Sequence, residues 1–98
     1  MKVHWTARAE ARLDAIHAYI AQDNPATALR VAQQILRRSG QIAAFPNSGR
    51  RVPDYTRDDV RELIEGNYRI VYRLLADRID VLAVMHCAQL LPIDLGEL

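Results

Sequence analysis

The break at Asn24-Pro25 constrains the fold of this chain most, because it separates two amphipathic helical patterns. Asn is a favoured N-cap residue, and Pro at the first helical position loses no hydrogen bond. A second apolar stripe follows the break and ends at Phe45, before Pro46. The stripe before the break has helical spacing and consists of Ala9, Leu13, Ile16 and Ile20. Two helices joined by so short a link must lie antiparallel, so the sequence predicts a helical hairpin.

Strand-like segments flank the predicted hairpin. The short segment KVHW precedes it, with Thr6 as a plausible N-cap. Three further segments follow it, VRELIE, NYRIVYRLL and RIDVLAVMH, with turns at Gly66-Asn67 and near Asp77. Residues 46–59 are rich in turn formers and charges, which predicts a long surface loop. The order βααβββ predicts an α+β fold in which the helical hairpin packs on a small antiparallel sheet.

Composition limits the size of the core and the kinds of partner. The 98 residues fit a single domain, residues 1–98, with one modest core. The formal net charge is +1, so direct binding of nucleic acid by the chain alone is not expected. Cys87 is the only cysteine, which excludes an internal disulfide and fits a cytoplasmic protein. No apolar segment suits a membrane span, and no motif predicts a metal site or a cofactor.

The strand NYRIVYR raises the question of what its two arginines do. Side chains alternate along a strand, so Arg69 and Arg73 share one face, away from an apolar face that contains Tyr68, Ile70, Tyr72 and Leu74. A two-residue turn at Asp77-Arg78 predicts four cross-strand pairs: Ile70 with Met85, Tyr72 with Ala83, Leu74 with Val81, and Arg69 with His86.

The predicted register gathers Glu62, Arg69, Arg73 and His86 on one open surface, and two interpretations of that surface remain open. In the first, Glu62 forms an ion pair with Arg69 or Arg73 and orders the sheet. In the second, Arg69, Arg73 and His86 bind a phosphate and cleave RNA without a metal ion, since arginines can stabilise the transition state and histidine can transfer protons.

The order of elements and several motifs resemble the RelE/ParE superfamily of type II toxins. The motifs are ARLDAIHAYIAQDNPATA across the two helices, the FPNSGR loop, RELIEGNYRIVYR, and a strand ending in VMH with proline six residues after the histidine. Each motif is weak alone, but their order and spacing are specific and cover nearly the whole chain. The resemblance implies a helical hairpin on an antiparallel sheet.

The superfamily has two main branches, and the site residues favour one. Its ribosome-dependent messenger-RNA endonucleases resemble this chain at Arg69, which matches an arginine that contributes to their catalytic face. Elsewhere the chain departs from them: Val60 and Glu62 stand where lysines are common, Gln89 replaces a catalytic arginine, and a terminal tyrosine is missing. The ParE branch, whose members poison DNA gyrase, is more similar in the DNPATA link, the loop and the ending. The candidates for contact with the target or a phosphate are Arg69, Arg73, His86 and Gln89.

Both branches imply an antitoxin as partner, and the ParE branch implies a ParD-like one. Exposed apolar residues could form a groove for an antitoxin segment that folds on binding. The candidates are Ala18, Tyr19, Leu90, Leu91 and Ile93, and a core position is equally consistent with the sequence for Leu90 and Leu91. A further hypothesis is a superfamily member that binds its antitoxin but inhibits nothing. The sequence assigns no contact to three loop residues, Arg50, Arg51 and Arg57.

Overall fold

A computed structural model describes the whole chain, Met1–Leu98, and has the predicted order of elements. The two helices are α1 (Ala7–Ala21) and α2 (Pro25–Ala44). The strands are β1 (Lys2–Trp5), β2 (Arg50–Arg51), β3 (Val60–Glu65), β4 (Tyr68–Leu74) and β5 (Arg78–His86), and a short 3-10 helix (Leu95–Glu97) follows them. The α+β prediction is confirmed. Strand β2 was not predicted, because it lies inside residues 46–59, the segment predicted to be a loop.

The helical hairpin begins each helix with the predicted caps. The hydroxyl of Thr6 accepts a hydrogen bond from the Ala9 N–H (3.1 Å), and the side chain of Asn24 accepts one from the Thr27 N–H (3.0 Å). Both contacts satisfy N–H groups that have no partner within the helix. Ala9 and Ala28 are fully buried where the layers meet, so the helices lie close to each other and to the sheet. Neither helix combines the length and apolar character needed to span a membrane.

The sheet is mixed and has five strands in the order β1-β5-β4-β3-β2. The three predicted strands β3, β4 and β5 form an antiparallel centre. Strand β1 lies parallel to β5 at one edge of the sheet. Strand β2 pairs with β3 through only two residues, Arg50 with Glu62 and Arg51 with Arg61.

The register between β4 and β5 differs from the prediction, and all four predicted pairs are wrong. The turn lies one residue earlier than predicted, at Ala76-Asp77, because the Leu75 N–H donates to the Arg78 carbonyl (2.9 Å) and Leu74 pairs with Ile79. A β-bulge also leaves Leu82 without a partner on β4. A bulge shifts the alternation of side chains by one residue. The observed partners are therefore Val84 for Ile70, Val81 for Tyr72, Ile79 for Leu74, and Met85 for Arg69.

The bulge divides the apolar residues of β5 between the two faces of the sheet. Ile79, Val81 and Val84 join the core beneath the helices. Ala83 packs on the opposite face, in a second core that also contains Val52, Val60, Val71 and Leu98. Leu91 and Leu95, from the segment after β5, pack against this second core. The prediction that this face forms an open surface is therefore wrong: residues 91–98, called the C-terminal segment below, cover part of it.

Tyr72 joins the loop before β2 to the main core. Its side chain is fully buried, its hydroxyl donates to the Pro46 carbonyl (2.8 Å), and it accepts from the Gly49 N–H (3.0 Å). Burial raises the pKa of Tyr72, so the phenol stays neutral and can donate at neutral pH. A Cβ atom at position 49 would lie 2.5 Å from the Tyr72 hydroxyl and 2.7 Å from the Glu62 carbonyl. Only glycine fits there.

We expect Gly49→Ala to lower the free energy of unfolding by about 1 to 3 kcal/mol, because the added methyl group overpacks a buried contact. The matched control is Gly40→Ala in the interior of α2, where an added Cβ meets nothing within 4 Å. The control should raise stability by about 0.5 to 1 kcal/mol, since alanine favours helix more than glycine does. Urea unfolding followed by circular dichroism measures both. Equal stability of Gly49→Ala and the wild type would contradict the predicted clash.

Candidate functional site

The Glu62 side chain is fully buried on the second face of the sheet and lies between two arginines. One carboxylate oxygen lies 2.7 Å from Nη2 and 2.8 Å from Nε of Arg50, and the other lies 3.5 Å from Nη1 of Arg69. A buried carboxylate is costly unless it is paired in this way. The interpretation in which Glu62 pairs with Arg69 is therefore confirmed, and Arg50, which the sequence left without a contact, also serves as a partner.

Arg69 is held from two sides. Besides Glu62, its guanidinium donates to the backbone carbonyl of Gln89, just after β5. Only 12% of its side chain is exposed. Arg69 thus links β3 to the segment after β5, and its contacts are those of a structural residue rather than of an exposed phosphate ligand.

Arg73 pairs with Asp59 and not with Glu62. Its Nε lies 3.1 Å from Asp59, which Arg57 also binds through two parallel hydrogen bonds of 2.8 and 2.7 Å. The bidentate hydrogen bonds from Arg57, followed by that from Arg73, lower the pKa of Asp59 to about 2. Arg51 lies 3.0 Å from Asp58 in an exposed pair. All three loop arginines that the sequence left open therefore have carboxylate partners.

His86 lies on the opposite face of the sheet from Arg69 and Arg73. It pairs across the strands with Tyr68, and the two rings meet edge to face with centroids 5.6 Å apart. Arg69 instead faces Met85, on the other side. The predicted cluster of Arg69, Arg73 and His86 is therefore wrong, because it relied on a register that the bulge and the shifted turn remove.

Gln89 closes the turn after β5. Its side-chain oxygen accepts from the His86 N–H (2.9 Å), and its own N–H donates to the His86 carbonyl (3.0 Å). The His86 Nδ1 atom accepts from the Ala88 N–H (3.0 Å). Both side chains are exposed, whereas Arg73 is half-buried and Arg69 is almost fully buried. No group of three or more His, Cys, Asp or Glu side chains is positioned to hold a metal ion.

Two shallow depressions lie side by side between α1 and the segment after β5. Both contain Ala15, Ile16 and Gln89, and we call their combined surface the α1 groove. The smaller, about 320 Å³, is completed by Tyr19, Tyr68 and His86. The larger, about 510 Å³, is completed by Arg12, Val84, Met85, Leu90, Leu91, Pro92 and Glu97.

The α1 groove contains three of the five candidate antitoxin contacts. Tyr19 is 75% exposed and Leu90 is 91% exposed, while Leu91 is half-buried against the second core. Ala18 and Ile93 are exposed but line neither depression. Sequence reasoning therefore found apolar residues on this surface, and the structure brings together the three that share it.

The sequence analysis missed the covering role of the C-terminal segment. The Tyr55 hydroxyl donates to the Pro92 carbonyl (2.7 Å), and Arg8 donates to a backbone oxygen of Leu98 (2.8 Å). Burial raises the pKa of Tyr55, which keeps this donor protonated. The available signal was the apolar character of Leu91, Leu95 and Leu98 in a segment too short to form a core of its own.

We expect the stabilisation from Asp59 to disappear in acid. Its folded-state pKa of about 2 lies below the ordinary 3.8, so its contribution is present above about pH 4 and is lost as the pH falls towards 2. The difference in unfolding free energy between the wild type and Asp59→Asn should shrink across that range in urea titrations. Asp58→Asn, which removes an exposed pair from the same loop, controls for the loss of one carboxylate. A difference for Asp59→Asn that stays constant from pH 6 to pH 2 would contradict the assignment.

Comparisons with known proteins agree with this architecture. The sequence model of a family described as ParE toxin of type II toxin-antitoxin system, parDE, matches residues 3–91. Y4kP of Sinorhizobium fredii, which carries the name of a toxin, is 40% identical over 93% of each chain. Toxin RelE2 of Caulobacter vibrioides is 32% identical over 91% of this chain and 98% of its own.

A solved structure shares the fold. It is described as a chromosomal ParDE TA system from P. aeruginosa, and it superposes with a TM-score of 0.73 at 28% identity, covering 88% of this chain and 95% of that one. The match of the family model over most of the chain, together with these relatives, shows that the chain belongs to the ParE toxin family of type II toxin-antitoxin systems.

Proposed function

We propose that this ParE-family toxin inhibits DNA gyrase, stabilises its cleaved complex with DNA and so arrests replication in the cytoplasm, and that a ParD-like antitoxin neutralises it. The observation that carries this proposal is the separation of Arg69 and Arg73 from His86 by the sheet. A nuclease built on these residues would need them around one phosphate. A protein that acts by binding its target does not need these three residues in one place.

The surroundings of the arginines argue further against RNA cleavage. Metal-free cleavage needs cations free to stabilise a pentacovalent phosphate and a proton-transfer group within hydrogen-bond reach. Arg69 is occupied by Glu62 and by the Gln89 carbonyl, and Arg73 by Asp59. A phosphate at Arg69 would also meet the buried negative charge of Glu62. These contacts favour a structural role for both arginines.

The α1 groove supports the antitoxin as partner. Tyr19 and Leu90 expose most of their surface to water. Exposed apolar patches commonly mark interaction sites. An antitoxin segment that folds on binding would bury them. The solved relative with the same fold is part of a ParDE system, which supports a ParD-like partner.

The same groove suggests how neutralisation works. His86 and Gln89 are the exposed members of the proposed target-contact set, and both line the part of the groove that contains Tyr19. A segment seated on Tyr19 and Leu90 would therefore cover the residues proposed to contact gyrase. Antitoxin and target would compete for one surface of the toxin, so antitoxin binding alone would be sufficient to inhibit the toxin.

Ribosome-dependent RNA cleavage remains the second candidate. The observation in its favour is the 32% identity to a relative named toxin RelE2. It would require Arg69 or Arg73 to leave its carboxylate partner when RNA binds. The first experiment below distinguishes it from gyrase inhibition.

We expect purified toxin, titrated into gyrase with supercoiled plasmid, to increase the double-strand breaks that detergent traps. His86→Ala should raise the toxin concentration needed by about tenfold, the loss of roughly 1.4 kcal/mol of binding. The matched control is His17→Ala, an exposed histidine of α1 that does not line the groove. The absence of breaks at every dose, from protein that still arrests cells and cleaves messenger RNA on ribosomes, would replace gyrase by the ribosome as the target.

We expect Tyr19→Arg and Leu90→Arg each to weaken antitoxin binding by at least tenfold, because a charged side chain would be buried without a partner. Leu29→Arg is the matched control, since Leu29 is 53% exposed on α2 and lines neither depression of the groove. Binding is measured by calorimetry with the antitoxin encoded beside the toxin. If Leu29→Arg weakens binding and the two groove variants do not, the antitoxin binds elsewhere on the hairpin.

A further inference from the structure

Arg12 differs from the other partly buried arginines of the chain, because it has no partner. Five of them donate a hydrogen bond to a side chain or a backbone carbonyl: Arg38, Arg57, Arg61, Arg69 and Arg73. Arg12 is equally half-buried on α1 but forms neither a hydrogen bond nor an ion pair. Its five N–H donors are all unused, and a half-buried charge without a partner is unfavourable.

The helix itself offers Arg12 no carboxylate. Side chains three or four residues apart are neighbours on a helix, and those two residues apart are not. The neighbouring positions of α1 hold Arg8, Ala9, Ala15 and Ile16. The acidic residues Glu10 and Asp14 lie two positions before and after Arg12, so they point to another side of the helix. A partner for Arg12 must therefore come from outside α1.

Arg12 lies at the edge of an apolar surface. It lines the larger depression of the α1 groove, about 510 Å³, together with Ile16, Leu90 and Leu91. Apolar surroundings strengthen a charge-assisted hydrogen bond, because water competes for it less. Glu97 is the other charged side chain of this depression, and it forms no ion pair with Arg12. Its negative charge opposes a polyanion such as a nucleic-acid backbone, so the charges favour a ligand that brings one carboxylate.

We propose that Arg12 binds an acidic side chain of the antitoxin segment and thereby selects the cognate antitoxin. This inference rests on the proposed function, which places the antitoxin in the α1 groove. A guanidinium can bind a carboxylate through two parallel hydrogen bonds, which require a defined position of the acid. An antitoxin with a neutral or basic residue at that position leaves Arg12 covered and unpaired, which is a penalty against the wrong partner.

The spacing along α1 sets where the acidic residue lies in the segment. Arg12 and Tyr19 are seven residues apart, which is about two helical turns or roughly 10 Å along the axis. A helical segment that lies along α1 would therefore carry its acidic residue about seven positions from the residue that contacts Tyr19. An extended segment would carry it about three positions away.

The first test is calorimetric titration of the full-length toxin with the antitoxin encoded beside it. Arg12→Gln should weaken binding by about tenfold or more, the loss of a charge-assisted pair. Arg12→Lys should lose less, since lysine keeps the charge but not the planar fork. Arg30→Gln is the matched control, because Arg30 is exposed on α2, has no ion pair and lines neither depression. It should bind as the wild type does.

The second test identifies the carboxylate by charge exchange. Arg12→Glu should bind the wild-type antitoxin poorly. Among antitoxin variants in which one acidic residue is replaced by lysine, one should bind wild-type toxin weakly and recover at least about tenfold in affinity for Arg12→Glu. Such reciprocal recovery is not expected from a residue that only supports the fold. Thermal unfolding should give the same midpoint for Arg12→Gln and the wild type, because Arg12 forms no hydrogen bond within the chain.

The outcomes separate this inference from the proposed function. Loss of binding in Leu90→Arg, with Arg12→Gln still binding as the wild type, would overturn the role of Arg12 alone. An equal loss in Arg30→Gln would do the same, since it indicates diffuse attraction, as would the absence of any antitoxin variant that recovers binding to Arg12→Glu. Wild-type binding to Leu90→Arg would show that the antitoxin binds elsewhere, and the inference would fall together with the proposed location.

Discussion

The buried carboxylate of Glu62 is the contact on which the second face of the sheet depends. Arg50 and Arg69 bind its two oxygens, so one side chain of β3 joins β2 to β4. Arg69 then reaches the Gln89 carbonyl and fixes the chain where it leaves β5. Removal of both arginines would leave the carboxylate buried without compensation, which is strongly destabilising. The position of the C-terminal segment follows from this chain of contacts.

The β-bulge at Leu82 determines which residues of β5 face each side of the sheet. Before it, Ile79 and Val81 face the helices; after it, Val84 and His86 do. The strand thereby contributes apolar residues to both faces, and a second core forms that the C-terminal segment covers. The same shift moves His86 away from Arg69. One unpaired residue thus changes both how the sheet is buried and which side chains can act together.

The arginines of the loop and of β4 stabilise the fold of this ParE-family toxin through ion pairs. Those of the loop and of β4 each have a carboxylate partner, and two of them share Asp59. The surface that remains for partners is therefore the apolar α1 groove.

The order of elements, the caps and the helical hairpin were determined by the sequence, because they depend on local features: the break at Asn24-Pro25, helical spacing, and turn residues such as Gly66. The family resemblance was visible for the same reason, since its motifs follow that order. The tertiary structure alone decided the register of β4 and β5, the burial of Glu62 and the packing of Leu91 against the second core. A bulge has no signature in a run of alternating apolar residues, and a one-residue shift exchanges the two faces. Which charges pair, and which groups meet in one site, depends on that shift and on the fold of the C-terminal segment over the sheet.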